Sequence, residues 1–236
     1  MLKKITIAID AMGGDNSPDK VINGVYLFLK KNNSKKDFVI NLFGDEKKIN
    51  EKLKKYKISS NYVIVTHTSS IISDEETPLT AVKNSKNTSM WNCIKSQIDG
   101  NSDISLSAGN TGVLLVLSRM ILKMMEEVSK PALAGLWPNK KGLNVVLDLG
   151  ANIECDDKNL VDFAELGSAL HKSLFPNDLS KVSLLNVGSE EIKGTEIIKN
   201  AYKRLKDLSG ENNFIFKGYC EGNTIMTGDS NVIVTD

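Results

Sequence analysis

Short apolar strands alternate along this chain with amphipathic helical segments, and this alternation restricts the possible fold more than any other feature. Runs rich in β-branched residues predict strands at 5–9, 38–43, 62–66, 104–107, 144–148, 182–186 and 231–236. Apolar residues at helical spacing predict helices between them, including 18–31, 46–56 and 89–98. Strands separated by helices form parallel sheets. We therefore predict an α/β protein, a single region over 1–236, with a mostly parallel sheet and helices on both faces.

The residues around two helix starts make the prediction more specific. Ser17 is a suitable N-cap and Pro18 suits a first helical position, so the first helix is expected to begin there. Thr195 is expected to cap a late helix in the same way. These assignments place loops between strand ends and helix N-termini.

The last predicted strand, 231–236, ends with the chain. Ligand crevices of open parallel sheets lie at the carboxyl ends of strands, where a loop and a covering helix normally follow. We therefore expect a chain shortened at its C-terminus, and the alternative is an edge strand that happens to be terminal.

Charge and composition exclude several classes of function. Thirty basic and twenty-nine acidic residues leave a net charge of +1, so the chain lacks the overall field that nonspecific nucleic-acid binding requires. Its three cysteines are widely spaced and form neither a zinc motif nor a disulfide framework. With no run of about 18 apolar residues, the chain is expected in the cytoplasm, and peripheral contact with a membrane is left open.

Four junctions between strands and helices are rich in small and polar residues, namely 10–15, 107–112, 148–152 and 186–194. Small residues let backbone N–H groups approach a ligand, and helix N-termini favour phosphate. Neither of the common nucleotide-binding glycine motifs occurs. The junctions therefore predict an anion site for phosphate in a simple form, and the alternative for each is a tight turn.

Other side chains have weaker functional signals. The helix after Gly112 is apolar nearly all round, which favours a buried core helix over a wall of an acyl-chain channel. His67 and His171 lie outside the junctions, and Cys155 and Cys220 are expected to be inert. Because no nucleophile and histidine are paired, the attacking group is expected to be the substrate's own phosphate.

Lysines are concentrated in one early region of the chain. They are Lys30, Lys31, Lys35, Lys36, Lys47, Lys48, Lys52, Lys54, Lys55 and Lys57. A solvated face is the favoured interpretation, and a docking surface for an acidic protein is the alternative.

The junctions, in this order, resemble those of the phosphate acyltransferases of bacterial phospholipid synthesis. The stretches that carry the resemblance are 9–15, 44–45, 88–90, 107–112, 130–134, 147–152, 186–194 and 221–223. The resemblance implies a fold similar to isopropylmalate dehydrogenases and phosphotransacetylases, and members that continue beyond the strand matching 232–236. The chain departs from the family at Lys83, where an arginine is common, so an anion-binding role there is in doubt.

The resemblance also implies a reaction, in which inorganic phosphate attacks the thioester of a long-chain acyl group on acyl carrier protein. Lys193 and Asn110 are the predicted catalytic residues. The predicted substrate-binding residues are Gly13, Gly14, Asp15, Gly109, Thr111, Gly112 and Asn152. Asp10 and Asp148 are expected to orient these groups, because a carboxylate would repel phosphate. The scheme requires no metal and no organic cofactor.

The partners implied are acyl carrier protein, inorganic phosphate, a second copy in a homodimer and a membrane-embedded glycerol-3-phosphate acyltransferase, without nucleic acid. The product would be acyl-phosphate, the first step toward phosphatidic acid, made in the cytoplasm by a peripherally membrane-associated enzyme. Two alternatives remain, a phosphotransacetylase-type enzyme that uses acyl-CoA and a noncatalytic carrier-binding fragment.

Overall fold

The computed structural model describes residues 4–32, 37–59, 61–73, 76–210 and 214–236. The chain divides into two compact units, Met1–Lys123 and Met124–Asp236. Each unit has its own sheet, so the strands that the sequence predicts belong to two sheets rather than one.

The first unit is built on a four-stranded sheet in which every pair of strands is parallel, in the order β3-β2-β1-β4. Its elements are β1 (Ile5–Asp10), α1 (Asp19–Lys31), β2 (Phe38–Gly44), α2 (Glu46–Lys55), β3 (Val63–His67), α3 (Pro78–Asn84), α4 (Ser89–Ile98), β4 (Ile104–Ser107) and α5 (Thr111–Leu122). Because all four strands run the same way, their carboxyl ends meet at one edge of the sheet.

Helices cover both faces of this sheet, as predicted. On one face, Ile22 of α1 and Ile49 of α2 are fully buried against Ile40 and Leu42 of β2. On the other face, Cys93 of α4 packs with side chains of β1 and β2. Burial on both faces explains why these strands are nearly continuous apolar runs.

The second unit has a five-stranded sheet in the order β5-β6-β9-β7-β8. Its elements are β5 (Gly135–Asn139), β6 (Gly142–Leu147), α6 (Asp157–Leu174), β7 (Ser180–Leu185), α7 (Glu196–Leu208), β8 (Phe214–Cys220), a 3₁₀ turn (Ile225–Thr227) and β9 (Val232–Val234). Only β5 is antiparallel, in a hairpin with β6. The interpretation of the last strand as an edge strand is wrong, because β9 pairs on both sides and Val232, Ile233 and Val234 are buried.

The start of α1 differs from the prediction. The helix begins at Asp19, Pro18 occupies the N-cap position, and no side chain caps it. The Ser17 hydroxyl instead donates hydrogen bonds to the carbonyls of Gly13, at 2.5 Å, and Gly14, at 2.8 Å. Ser17 is therefore used to close the preceding loop, and its hydroxyl oxygen does not cap the helix. The other predicted cap is confirmed, since Thr195 Oγ1 accepts from Ile198 N–H at 3.3 Å.

The apolar helix after Gly112 is not buried all round, as the favoured interpretation required. In α5, Val113 and Leu117 are fully buried, and they pack with Ala81 of α3 and with α4. Met120 is 47% exposed. The helix is covered along one face because α3 and α4 contact only that side.

Candidate active site

Two of the predicted junctions lie side by side at the carboxyl edge of the first unit's sheet. β1 and β4 are neighbours, and their register places Asp10 opposite Ser107. The Ser107 hydroxyl donates to Asp10 Oδ2 at 2.8 Å and accepts from the Gly109 N–H at 3.1 Å. The Met12 N–H donates to Asp10 Oδ1 at 3.2 Å. The buried carboxylate of Asp10 thus holds the 10–15 and 107–112 loops together.

Glycines let these loops approach each other more closely than any side chain would allow. A Cβ atom built on Gly13 would lie 2.6 Å from Asp10 Oδ2 and 2.8 Å from the Gly109 nitrogen. A Cβ on Gly14, whose φ is +82°, would lie 2.5 Å from the Ala108 carbonyl oxygen. The predicted residues Gly13, Gly14 and Gly109 therefore belong to one tightly packed pair of loops.

Asn110 lies at the N-terminus of α5, as predicted, and its side chain acts there as the N-cap. Asn110 Oδ1 accepts from the Val113 N–H at 3.1 Å, and Nδ2 donates to the Glu76 carbonyl at 3.4 Å. Both ends of the amide bind backbone groups, so the structure gives Asn110 a positioning role for the first turn of α5 and for the segment before α3.

The remaining predicted residues of this unit border the same loops. Thr111 is exposed in the first turn of α5, and a Cβ on Gly112 would lie 3.3 Å from the Pro78 ring. Asp15 is exposed, and its carboxylate lies 4.0 Å from Lys20 Nζ. The first-turn backbone of α5 carries the partial positive charge of a helix N-terminus, which favours an anion at this position.

A second helix N-terminus borders the 107–112 loop, and sequence reasoning did not assign it to the site. A Cβ on Gly109 would lie 2.9 Å from Met90 Cε, in the first turn of α4. Thr88 caps that helix by accepting from the Trp91 N–H at 3.3 Å. A threonine before a helical pattern was the available signal, but its proximity to Gly109 depends on tertiary packing.

In the second unit, Asp148 and Asn152 organise the loop after β6. Asp148 Oδ1 accepts from the Leu133 and Ala151 N–H groups, and Oδ2 accepts from the backbone and side-chain nitrogens of Asn152 at 2.8 Å. Asn152 Nδ2 also donates to the Pro131 carbonyl at 2.7 Å. The predicted positioning role of Asp148 agrees with this network, and Asn152 braces two loops through its amide nitrogen.

The loop that carries Lys193 is organised by Asn186, at the carboxyl end of β7. Asn186 Nδ2 donates to the carbonyls of Gly188, at 3.1 Å, and Lys193, at 3.2 Å. Asn186 is 8% exposed, and its Oδ1 is buried without a hydrogen-bond partner. The side chain of Lys193 is exposed just before the capped N-terminus of α7. Lys193 therefore offers an accessible positive charge in a loop held from beneath by an amide.

The cysteines have the properties of inert thiols, as expected. Burial raises the pKa of Cys93 to about 12, and the nearby carboxylate of Asp10 raises it further. Burial likewise raises the pKa of Cys220 to about 11 and raises that of Cys155. A nucleophilic thiol needs a lowered pKa, so none of the three is activated.

The two histidines lie outside these loops. His67 Nδ1 accepts from the Glu46 N–H at 3.3 Å. His171 is 2% exposed and its Nδ1 lies 3.0 Å from Ser180 Oγ. Burial lowers the pKa of His171. Neither residue is placed against the junctions by its hydrogen bonds.

The lysine-rich region is partly neutralised. Asp19 Oδ1 lies 2.7 Å from Lys52 Nζ and 3.2 Å from Lys55 Nζ, and these contacts lower the pKa of Asp19. Lys47 and Lys48 are exposed in the first turn of α2. Lys35 and Lys36 lie outside the described residues.

Two further searches covered the part of the chain that the structure describes. They found no group of three or more His, Cys, Asp and Glu side chains placed to hold a metal ion. No described helix is both long enough and apolar enough to cross a bilayer.

Comparison with solved structures identifies the fold as that of the phosphotransacetylases. A phosphotransacetylase from Streptococcus pyogenes matches with a TM-score of 0.68 and 14% identity, over 98% of this chain and 77% of that one. EutD phosphotransacetylase from Staphylococcus aureus matches with a TM-score of 0.65 and 15% identity, over the same shares. The predicted fold class is thereby confirmed.

Sequence comparison is more specific. The family model described as "Fatty acid synthesis protein" matches residues 5–236, and the chain belongs to this family. The phosphate acyltransferase of Pelagibacter ubique is 52% identical over 236 residues, which are 100% of this chain and 69% of that protein. The phosphate acyltransferase of Parvibaculum lavamentivorans is 38% identical over 237 residues, 100% of this chain and 64% of that protein. The chain spans about two thirds of the length of these relatives.

Proposed function

We propose that this chain is a phosphate acyltransferase that transfers a long-chain acyl group from acyl carrier protein to inorganic phosphate. The observation that carries the proposal is the packing of the 10–15 and 107–112 loops around Asp10, beside the N-terminus of α5. The names of its relatives, at up to 52% identity, support the same reaction.

The reaction needs a bound phosphate that faces the thioester carbonyl. A phosphate oxygen attacks the carbonyl carbon, the tetrahedral intermediate collapses, and the carbon–sulfur bond breaks. The products are acyl-phosphate and the carrier thiol, which takes up the proton that the phosphate loses. Donors that stabilise the oxyanion and hold the phosphate supply most of the catalysis in such a step.

The residues have distinct roles in the proposal. Glycine-rich backbone at Gly13, Gly14 and Gly109 gives the phosphate room beside the first turn of α5, which includes Thr111 and Gly112. Asn110 orients that turn.

Four further side chains complete the assignment. Lys193 supplies positive charge to the phosphate, and Asn152 belongs to the substrate-binding set. Asp15 is exposed and marks the rim of the 10–15 loop. Lys83, exposed in the last turn of α3, is a further candidate for contact with the anion.

The proposal extends to the partners. Acyl carrier protein is the acyl donor, and the exposed lysines of α2 are the candidate surface for this acidic carrier. The product is handed to a membrane-embedded glycerol-3-phosphate acyltransferase, and the enzyme works as a homodimer at the membrane surface, over the single region 1–236.

The direct test is thiol release from palmitoyl-acyl carrier protein with and without inorganic phosphate. We expect release that depends on phosphate, with acyl-phosphate trapped by hydroxylamine in equal amount. Palmitoyl-CoA serves as the second donor, and a preference for it would indicate a phosphotransacetylase-type enzyme. Carrier binding without release from either donor would indicate a noncatalytic carrier-binding protein.

A further inference from the structure

An apolar groove runs along the first unit's sheet between α1 and the edge strand β4. Its volume is about 360 Å³, and Ile7, Ile9, Leu106, Val21, Val25 and Phe28 line it. The register of β1 with β4 pairs Ile9 with Leu106, so both side chains are on the sheet face that α1 covers. Leu106 remains 46% exposed because no described helix lies over β4 on this face.

Gly24 keeps the groove open. It lies in the interior of α1, where glycine is less favourable than alanine. No atom lies within 4 Å of a Cβ built at Gly24, although the residue lines the groove. Neither close packing nor a positive φ requires glycine here, so its effect is to leave space beside the sheet.

One end of the groove is formed by the junction loops themselves. Asp10, Ser107 and Ala108 are its polar lining, and Asp10 and Ser107 are the residues whose hydrogen bond joins the two loops. An apolar chain in the groove would therefore have its head group at the loops assigned to phosphate. This continuity selects an acyl chain over other apolar occupants.

We propose that the groove between α1 and β4 binds the acyl chain, with its reacting end at the Asp10–Ser107 junction. This inference rests on the proposed function for the identity of the chain. It places the chain along α1 and β4, whereas the sequence suggested α5 as a channel wall.

The test uses the full chain and two probes, dodecyl phosphate and inorganic phosphate, with calorimetry as the readout. Gly24→Leu places a side chain in the groove, and we expect it to weaken dodecyl phosphate binding about tenfold or more while leaving inorganic phosphate binding unchanged. Leucine is a better helix former than glycine, so folding is expected to be kept. Leu106→Gln removes apolar lining from the opposite wall and should also weaken dodecyl phosphate binding.

Ile64→Gln is the matched control, because Ile64 is 54% exposed on β3, at the opposite edge of the same sheet. It should leave dodecyl phosphate binding unchanged. Unchanged binding in both Gly24→Leu and Leu106→Gln, or no binding to the unmodified chain, would overturn the groove assignment. Phosphate-dependent thiol release judges the proposed function separately: groove-dependent binding without release would reject the reaction and keep the site.

Discussion

The Ser107 hydroxyl donates a 2.8 Å hydrogen bond to Asp10 Oδ2 across two neighbouring parallel strands, although 97 residues separate the two in sequence. Asp10 is 1% exposed, so its carboxylate depends on this donor and on the Met12 N–H rather than on water. The contact joins two loops that are each too short to define a site alone. It makes the geometry of the candidate site a property of strand pairing.

The first prediction concerns this contact. Ser107→Ala removes a donor from a buried carboxylate and should lower the free energy of unfolding by about 1–3 kcal/mol. The measurement is urea denaturation followed by circular dichroism. Ser69→Ala, at an exposed hydroxyl in the same unit, should change it by less than about 0.5 kcal/mol. Equal effects of the two substitutions would contradict a structural role for the contact.

Gly14 and Gly100 separate backbone strain from close packing. Both have positive φ, +82° and +74°, but a Cβ at Gly14 would lie 2.5 Å from the Ala108 carbonyl oxygen, while nothing lies within 4 Å of one at Gly100. We expect Gly100→Ala to cost about 1 kcal/mol of unfolding free energy, from φ alone. Gly14→Ala should cost at least about 2 kcal/mol because the loops must also separate. Equal losses in denaturant titrations would show that the loops are not tightly packed.

Lys193 tests the proposed reaction. Lys193→Ala should reduce phosphate-dependent thiol release about a hundredfold, since a positive charge near the phosphate would be lost. Circular dichroism and thermal melting should be unchanged because the side chain is exposed. Lys203→Ala, at an exposed lysine of α7, should keep normal turnover. Near-normal turnover of Lys193→Ala would remove this residue from the catalytic set.

The charge of α2 tests carrier docking. Lys52 and Lys55 are engaged with Asp19, so a reversal there would also break an ion pair. The double reversal Lys47→Glu and Lys48→Glu avoids that pair and should raise KM for acyl carrier substrate severalfold at low salt, with little change in kcat. The difference should shrink at about 0.5 M salt, where charges are screened within a few ångströms. An unchanged KM would leave these lysines as a solvated face, and Lys203→Glu is the control.

His171 gives the fold a defined pH dependence. Burial lowers its pKa, with Lys172 adding to the effect and Asp178 opposing it. The unfolded chain therefore binds a proton at a higher pH than the folded chain does, and stability should fall as pH drops below about 6.5. Unfolding free energies measured from pH 7.5 to 5.5 should decline more steeply for the natural chain than for His171→Gln. The same slope in both would assign the decline to other groups.

Local patterns predicted many elements of the fold because the relevant forces act over a few residues. The strand β1, the helix α4 and the N-caps Asn110 and Thr195 follow from periodicity and capping chemistry. β5 was missed because Gly135 and Pro138 are unusual in strands. Its position becomes favourable through antiparallel pairing with β6, which no local window contains.

The amino-acid sequence by itself determined the α/β class, the glycine-rich junctions and the kind of chemistry they suit. Tertiary structure decided that Asp10 meets Ser107, that Ser17 closes a loop and does not cap α1, and that β9 lies inside its sheet. It also decided that Gly24 borders an open groove. Propensity and capping act between residues close in sequence, whereas strand order, register and the space between a helix and a strand depend on contacts between distant segments.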